Sequence, residues 1–109
     1  MKFTNINRKF NVGLKNNIKI KHIANIYLSS NQQVTFVTNK NCEFDFVRKN
    51  WGYYLTSSIN SRLKKFKFKI CLVMSFLSRK KFILAVHENK MNQFKIYLKK
   101  EKIKILFWI

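Results

Sequence analysis

The sequence predicts an α+β fold: a single small domain of mostly antiparallel sheet, with two helices packed on it and a basic N-terminal arm. Three observations point there. Several short runs alternate apolar with polar residues, the period of half-buried strands. Two later stretches, near residues 59–66 and 89–100, switch to the three- and four-residue spacing of amphipathic helices. The chain has 109 residues, 47% hydrophobic and 16% aromatic, enough for one core without disulfides.

Pro is absent and Gly occurs only at positions 13 and 52, so Asn is expected to supply the turns. Residues 1–17 show no clean period and carry Lys2, Arg8, Lys9 and Lys15; they read as an extended basic arm, leaving 18–109 as the domain. IKIKHIANIYL, residues 18–28, opens on strict Ile/Lys alternation, a strand with one buried face. QQVTFVTNKNCEFDFV reads as a hairpin that turns at Asn39, Lys40 and Asn41, with Phe44 and Phe46 alternating with Glu43 and Asp45. In RKNWGYYLTSS, Gly52 permits a corner, Trp51, Tyr53 and Tyr54 pack, and Thr56, Ser57 and Ser58 offer cap hydroxyls to a helix over 59–66. The stripe of that helix is Ile59, Leu63 and Phe66.

KICLVMSFL and KFILAV, separated by Ser78, Arg79 and Lys80, form a second hairpin whose nearly continuous apolar runs predict strands covered on both faces. A helix over 89–100 follows, burying Met91, Phe94, Tyr97 and Leu98, both helices lying on one face of the sheet. The final strand, KIKILFWI, places Ile103, Ile105, Phe107 and Ile109 on one face, and Leu106 and Trp108 on the other with Lys102 and Lys104.

Charge dominates the functional reading: 23 Lys and Arg stand against 4 Asp and Glu, a formal net charge of +19. Lys, Asn, Ile, Phe and Tyr, all with AT-rich codons, make up more than half of the chain, whereas Gly, Ala, Arg and Pro are scarce. An AT-rich genome explains the preference for Lys over Arg. It does not explain the shortage of acids, limited to Glu43, Asp45, Glu88 and Glu101. Such an imbalance calls for a polyanion, either a phosphate backbone or an anionic membrane surface.

The longest uncharged run in the C-terminal half, Ile70 to Ser78, falls far short of the roughly 20 apolar residues of a spanning helix. MKFTNINRKFNVGLKNN lacks the apolar core of a secretory signal; it is basic and acid-poor, a composition compatible with a transit peptide. A product made inside an organelle needs none.

Groups for catalysis are scarce. Glu43 and Asp45 would share a strand face, and the reading favoured is pairing with nearby Lys or Arg on a solvated surface. His87 beside Glu88 reads as a turn or capping residue. His22, Cys42, Cys71 and His87 lack metal-ligand spacing, and Cys71 within ICLVMSF reads as a core residue. No enzyme activity and no cofactor is expected.

Phosphate binding has more material, since RNA is held through Lys, Arg and hydroxyl groups, with aromatics stacking on splayed bases. The candidate RNA-binding residues are Arg8, Lys9, Lys15, Arg48, Lys49, Arg62, Lys64, Lys65, Lys67, Lys69, Arg79, Lys80, Lys81, Lys99 and Lys100. Trp51 before Gly52 is read as a corner residue more than as a base platform. With few Arg, binding led by backbone and shape is expected.

In composition the whole chain resembles ribosomal proteins encoded in AT-rich mitochondrial or reduced bacterial genomes. Trp51-Gly52, Ile59-Asn60, KFILAV, the 89–100 helix and KILFWI also give a local likeness to the ferredoxin-like small-subunit ribosomal family numbered six, with altered spacing and without its N-terminal helix. The compositional resemblance implies a structural component of a mitochondrial ribosome, with rRNA and neighbouring ribosomal proteins as partners and no small-molecule substrate. The alternatives are a peripheral accessory subunit of a mitochondrial membrane complex, using its cations on lipid head groups, and a small basic bacterial protein of the cytoplasm.

Overall fold

The computed structural model describes residues 2–39, 42–55 and 58–109. The expected α+β class forms: antiparallel strands dominate, and two short helices accompany them. The strands fall into three sheets where one was expected, and contacts divide the chain into two units, Met1–Thr56 and Ser57–Ile109.

In the first unit, β1 (Lys2–Val12) pairs antiparallel with β2 (Ile18–Tyr27). The expected arm is therefore extended, and it is also a paired strand. Its apolar residues explain why: Phe3, Phe10 and Val12 stand opposite Ile26, Ile20 and Ile18. The register shifts between Asn5 and Arg8, moving the apolar set by one residue and hiding the alternation from a period-2 reading; Phe3, Phe10, Val12, Ile20 and Ile26 all remain exposed, so the buried face expected of residues 18–28 does not form. Gly13 (φ 95°) and Asn16 (φ 53°) carry the left-handed backbone of the turn, and the Asn16 N–H donates to the Gly13 carbonyl at 3.0 Å.

The second sheet of this unit has the order β3 (Gln33–Asn39), β4 (Cys42–Lys49), β5 (Gly52–Leu55). The β3–β4 hairpin is the one expected; Lys40 and Asn41 of its turn lie outside the described residues. Its Phe36 and Phe46 rings meet edge-on at 5.4 Å. The corner after β4 becomes a tight hairpin, with Lys49 opposite Gly52 (φ 146°) and only Asn50 and Trp51 between them. The aromatics expected to pack there do not: Trp51 is 68% exposed at the loop tip, and Tyr53 and Tyr54 are exposed on opposite sides of a four-residue strand.

The second unit comprises α1 (Arg62–Lys65), β6 (Phe68–Ser75), β7 (Lys81–His87), a single 3-10 turn (Glu88–Lys90), α2 (Met91–Glu101) and β8 (Ile103–Trp108). Its sheet order is β7-β6-β8. Thr56 and Ser57 lie outside the described residues, but the Ser58 hydroxyl accepts from the Arg62 N–H at 3.1 Å and its carbonyl from the Leu63 N–H at 3.0 Å. The helix is shorter than expected mainly because it starts at Arg62 and not at Ile59; at its other end Lys67 adopts φ 60°, which turns the chain into β6. Ile59, expected on its buried stripe, precedes the helix and is exposed.

Cys71, Val73, Val86 and Leu98 form the buried cluster, with Leu84, Met91, Phe94, Ile103 and Ile105 packed around it. Tyr97, expected on the buried stripe of α2, is exposed beside it. Desolvation in the cluster pushes the Cys71 thiol pKa up, as befits a core residue. Phe68 and Ile70, which alternate away from Cys71 and Val73, are buried outside this cluster, as is Leu63 of α1. The two helices thus bury different residues, where one shared face was expected. Of the two strands of this hairpin only β6 is central; on edge strand β7, Ile83 is 62% exposed, contrary to the expected two-sided cover. A register shift between Leu72 and Val73 corrects the expected face of the last strand: Ile103 and Ile105 join the core, while Phe107 opposite Leu72 is 55% exposed.

Gly being scarce, basic residues carry left-handed backbone at three turns, Lys67, Arg79 and Lys102. Lys102 (φ 52°) closes α2, its N–H directed at the Leu98 and Lys99 carbonyls. Lys102→Gly is expected to raise the unfolding free energy by about 0.5–1 kcal/mol, since a left-handed non-Gly residue costs about 1–2 kcal/mol and the added glycine entropy offsets only part of that gain. Urea midpoints check this; an unchanged or lower midpoint refutes it.

Candidate nucleic-acid interface

In the second unit the cations other than Lys90 and Lys95 form two groups at opposite ends of β6, about 23 Å apart along an eight-residue strand. At the entry end, α1 buries only Leu63, leaving Arg62, Lys64 and Lys65 outward, followed by exposed Lys67 and Lys69. Two of these are braced by aromatic rings: the Arg62 guanidinium stands 5.6 Å from Phe66 and the Lys69 ammonium 5.0 Å from Trp108. The Glu88 N–H donates to the Lys67 carbonyl at 2.8 Å, so one exposed acid stands near these five cations.

The exit end joins what the sequence kept apart. The turn between β6 and β7 carries exposed Arg79 and Lys80, with Lys81 opening β7 opposite Met74. Met74 also pairs with Lys104 of β8 on its other side. The Phe76 N–H donates to the Lys102 carbonyl at 3.0 Å, and Ser75 pairs with Ile103. Those bonds bring the last turn of α2, with exposed Lys99 and Lys100, to the same end as the Arg79–Lys81 run. Seven cations share this end with one acid, Glu101, which is half-buried. Part of the role of Lys99 and Lys100 is local, since cations in a last helical turn offset the negative end of the helix dipole by about 0.3–1 kcal/mol each.

In the first unit, Arg48 and Lys49 are engaged within the protein. The Arg48 guanidinium donates to the carbonyls of Lys49 and Gly52, the latter at 3.2 Å, and lies 5.6 Å from the Tyr53 ring. The Lys49 ammonium donates to Asn31 Oδ1 at 2.6 Å. Both brace the β4–β5 loop that holds Trp51 outward, the reverse of the packed role expected for that residue.

The β1–β2 hairpin holds the cations that sequence reasoning missed. Lys9 stands directly opposite Lys21 and Asn11 opposite Lys19, on one face of the ribbon. Arg8 falls on the other face, opposite His22, its guanidinium 4.7 Å from the Phe10 ring; Lys15 is exposed in the turn. From the sequence, Lys19 and Lys21 read only as the solvated side of a strand, and the signal that could have found them is the IKIK alternation itself.

Other candidates for chemistry have structural places. Asp45, expected on a solvated face, is fully buried opposite Thr35, whose hydroxyl donates to Asp45 Oδ1 at 2.6 Å. His87 caps the 3-10 turn by position, its ring 4.1 Å from Phe68. His22 bonds through Nε2 to the Ala24 carbonyl at 3.0 Å. Among the described residues no helix is long and apolar enough to cross a membrane. No protein-family model, curated protein or solved structure matches this chain.

Proposed function

We propose that the protein is a non-catalytic structural RNA-binding component of a ribonucleoprotein, of the mitochondrial ribosomal kind its composition resembles. The observation that carries this reading is the gathering of Arg79, Lys80 and Lys81 with Lys99 and Lys100, Lys102 and Lys104 at one end of the β7-β6-β8 sheet. Concentrating seven like charges costs folding free energy unless a polyanion neutralises them, and flexible lysines suit phosphates better than base edges. Exposed Ile83 and Phe107, both opposite Leu72 on one sheet face, fit a chain that is covered by neighbours in a larger particle.

The test is binding of the purified chain to structured RNA across a salt series. Log affinity is expected to fall linearly with log salt, by about 0.7–0.9 per phosphate contacted. Affinity that does not change with salt, or retention on anionic vesicles in preference to RNA, would sink the reading.

A further inference from the structure

The tip of the β1–β2 hairpin gathers positive charge on one side. There, Lys9, Lys19 and Lys21 share a face with Asn11, and an open hollow of about 640 Å³ is lined by these four together with Phe10 and Ile20, which alternate with them, and with Asn16 at its turn end. Two physical facts make this arrangement costly in the free protein. Like charges directly opposite on an antiparallel pair destabilise it, and a two-stranded ribbon has little stability to spare. No acid lies near in sequence, for none precedes Glu43.

We propose that this hollow is a binding site for the phosphodiester backbone of RNA, holding adjacent phosphates between Lys9, Lys19 and Lys21. The proposal rests on the RNA-binding reading above and adds a site to it. Opposed residues have Cβ atoms about 4.5–5.5 Å apart and diagonal ones about 7–8 Å, so three ammonium groups on flexible stems converge on one or two phosphates. Asn11 and Asn16 add uncharged amide donors, with the latter placed by its left-handed turn conformation. A concave floor admits a backbone that threads it, whereas a flat lipid surface meets only its rim.

The test compares the full chain with its Lys9→Gln/Lys19→Gln/Lys21→Gln variant, using a labelled RNA duplex, inorganic pyrophosphate and phosphatidylglycerol vesicles. The variant is expected to bind the duplex with a log-log salt slope shallower by about 1–2, one step for each of the one or two phosphates released, and to lose the rise in melting temperature that pyrophosphate gives the wild type. Without any anion it is expected to melt at a higher temperature than the wild type, because opposed charges have been removed. An unchanged slope while the wild type still binds RNA overturns this site alone. A lower melting temperature assigns the lysines to the fold, and a loss confined to vesicle binding assigns the site to lipid; either result overturns it too. A wild type that binds no RNA overturns the functional reading itself.

Discussion

Replacing Lys80, Lys81, Lys99 and Lys100 together by Gln is expected to lower RNA affinity about 10³-fold at about 0.1 M salt while leaving the chain folded. A slope of about −0.7 to −0.9 per phosphate makes each contact worth roughly five- to eightfold at 0.1 M relative to 1 M, and four such factors multiply to about 10³. The fold should survive because all four side chains are exposed and none belongs to the Cys71, Val73, Val86 and Leu98 cluster. Arg79 and Lys102 are left alone because their left-handed backbone shapes the turns, and Lys104 because its ammonium lies 5.9 Å from the Phe76 ring. Neutralising Lys99 and Lys100 removes a helix-dipole interaction of about 0.3–1 kcal/mol each, partly offset by relief of mutual repulsion. Equilibrium binding at several salt concentrations, with circular dichroism as the control for folding, decides the matter. If affinity and slope stay within twofold, these lysines are a solvated end of the sheet and the functional reading loses the observation that carries it.

The local part of the fold is legible wherever the hydrophobic period holds. Phe36 opposite Phe44, the two apolar strands β6 and β7, and the Met91, Phe94 and Leu98 stripe of α2 all follow from spacing. What fails is any step that crosses a register shift. Between Asn5 and Arg8 the shift moves the apolar set from Phe3 to Phe10 and Val12, so residues 2–12 lose their period and resemble an unpaired arm. Opposite Leu72 and Val73 a second shift separates Phe107 from Ile103 and Ile105, although all three are odd-numbered. Neither shift leaves a Gly or Pro to mark it.

The same limit governs the candidate interface. That Lys80 and Lys99 point outward is readable from their runs, but their convergence depends on β8 pairing beside β6, a contact between segments on either side of β7 and α2 in the sequence. Lys21 escapes notice because an alternating strand predicts which face a residue takes and not which residue stands across from it. Trp51 misleads for a related reason: whether an aromatic beside Gly packs or projects depends on loop length, and a two-residue loop leaves nothing beneath it.

Asp45→Ala is expected to destabilise the protein by about 2–4 kcal/mol. A carboxylate with no exposure to water has given up its hydration and must recover that loss from donors in the fold. One of these is the Thr35 hydroxyl at 2.6 Å, directly across the β3–β4 pair. Truncation leaves that hydroxyl without its acceptor, opens a cavity beside the strand and removes one of only four acids from a chain of net charge +19. Asp45→Asn retains an oxygen facing Thr35 and nearly the same volume, so it should cost distinctly less; the gap between the two variants isolates cavity and acceptor from charge. Pairing Thr35→Val with Asp45→Ala gives the coupling between the two side chains, expected near about 1–2 kcal/mol for a hydrogen bond to a charged group. Urea unfolding of the wild type, the three single variants and the double variant measures all of these quantities. If Asp45→Ala cost no more than an ordinary surface substitution, about 0.5 kcal/mol, the buried carboxylate would have no part in holding β3 to β4. The β3–β4 hairpin would then rest on its backbone ladder and on side-chain contacts such as those of the Phe36, Phe44 and Phe46 rings.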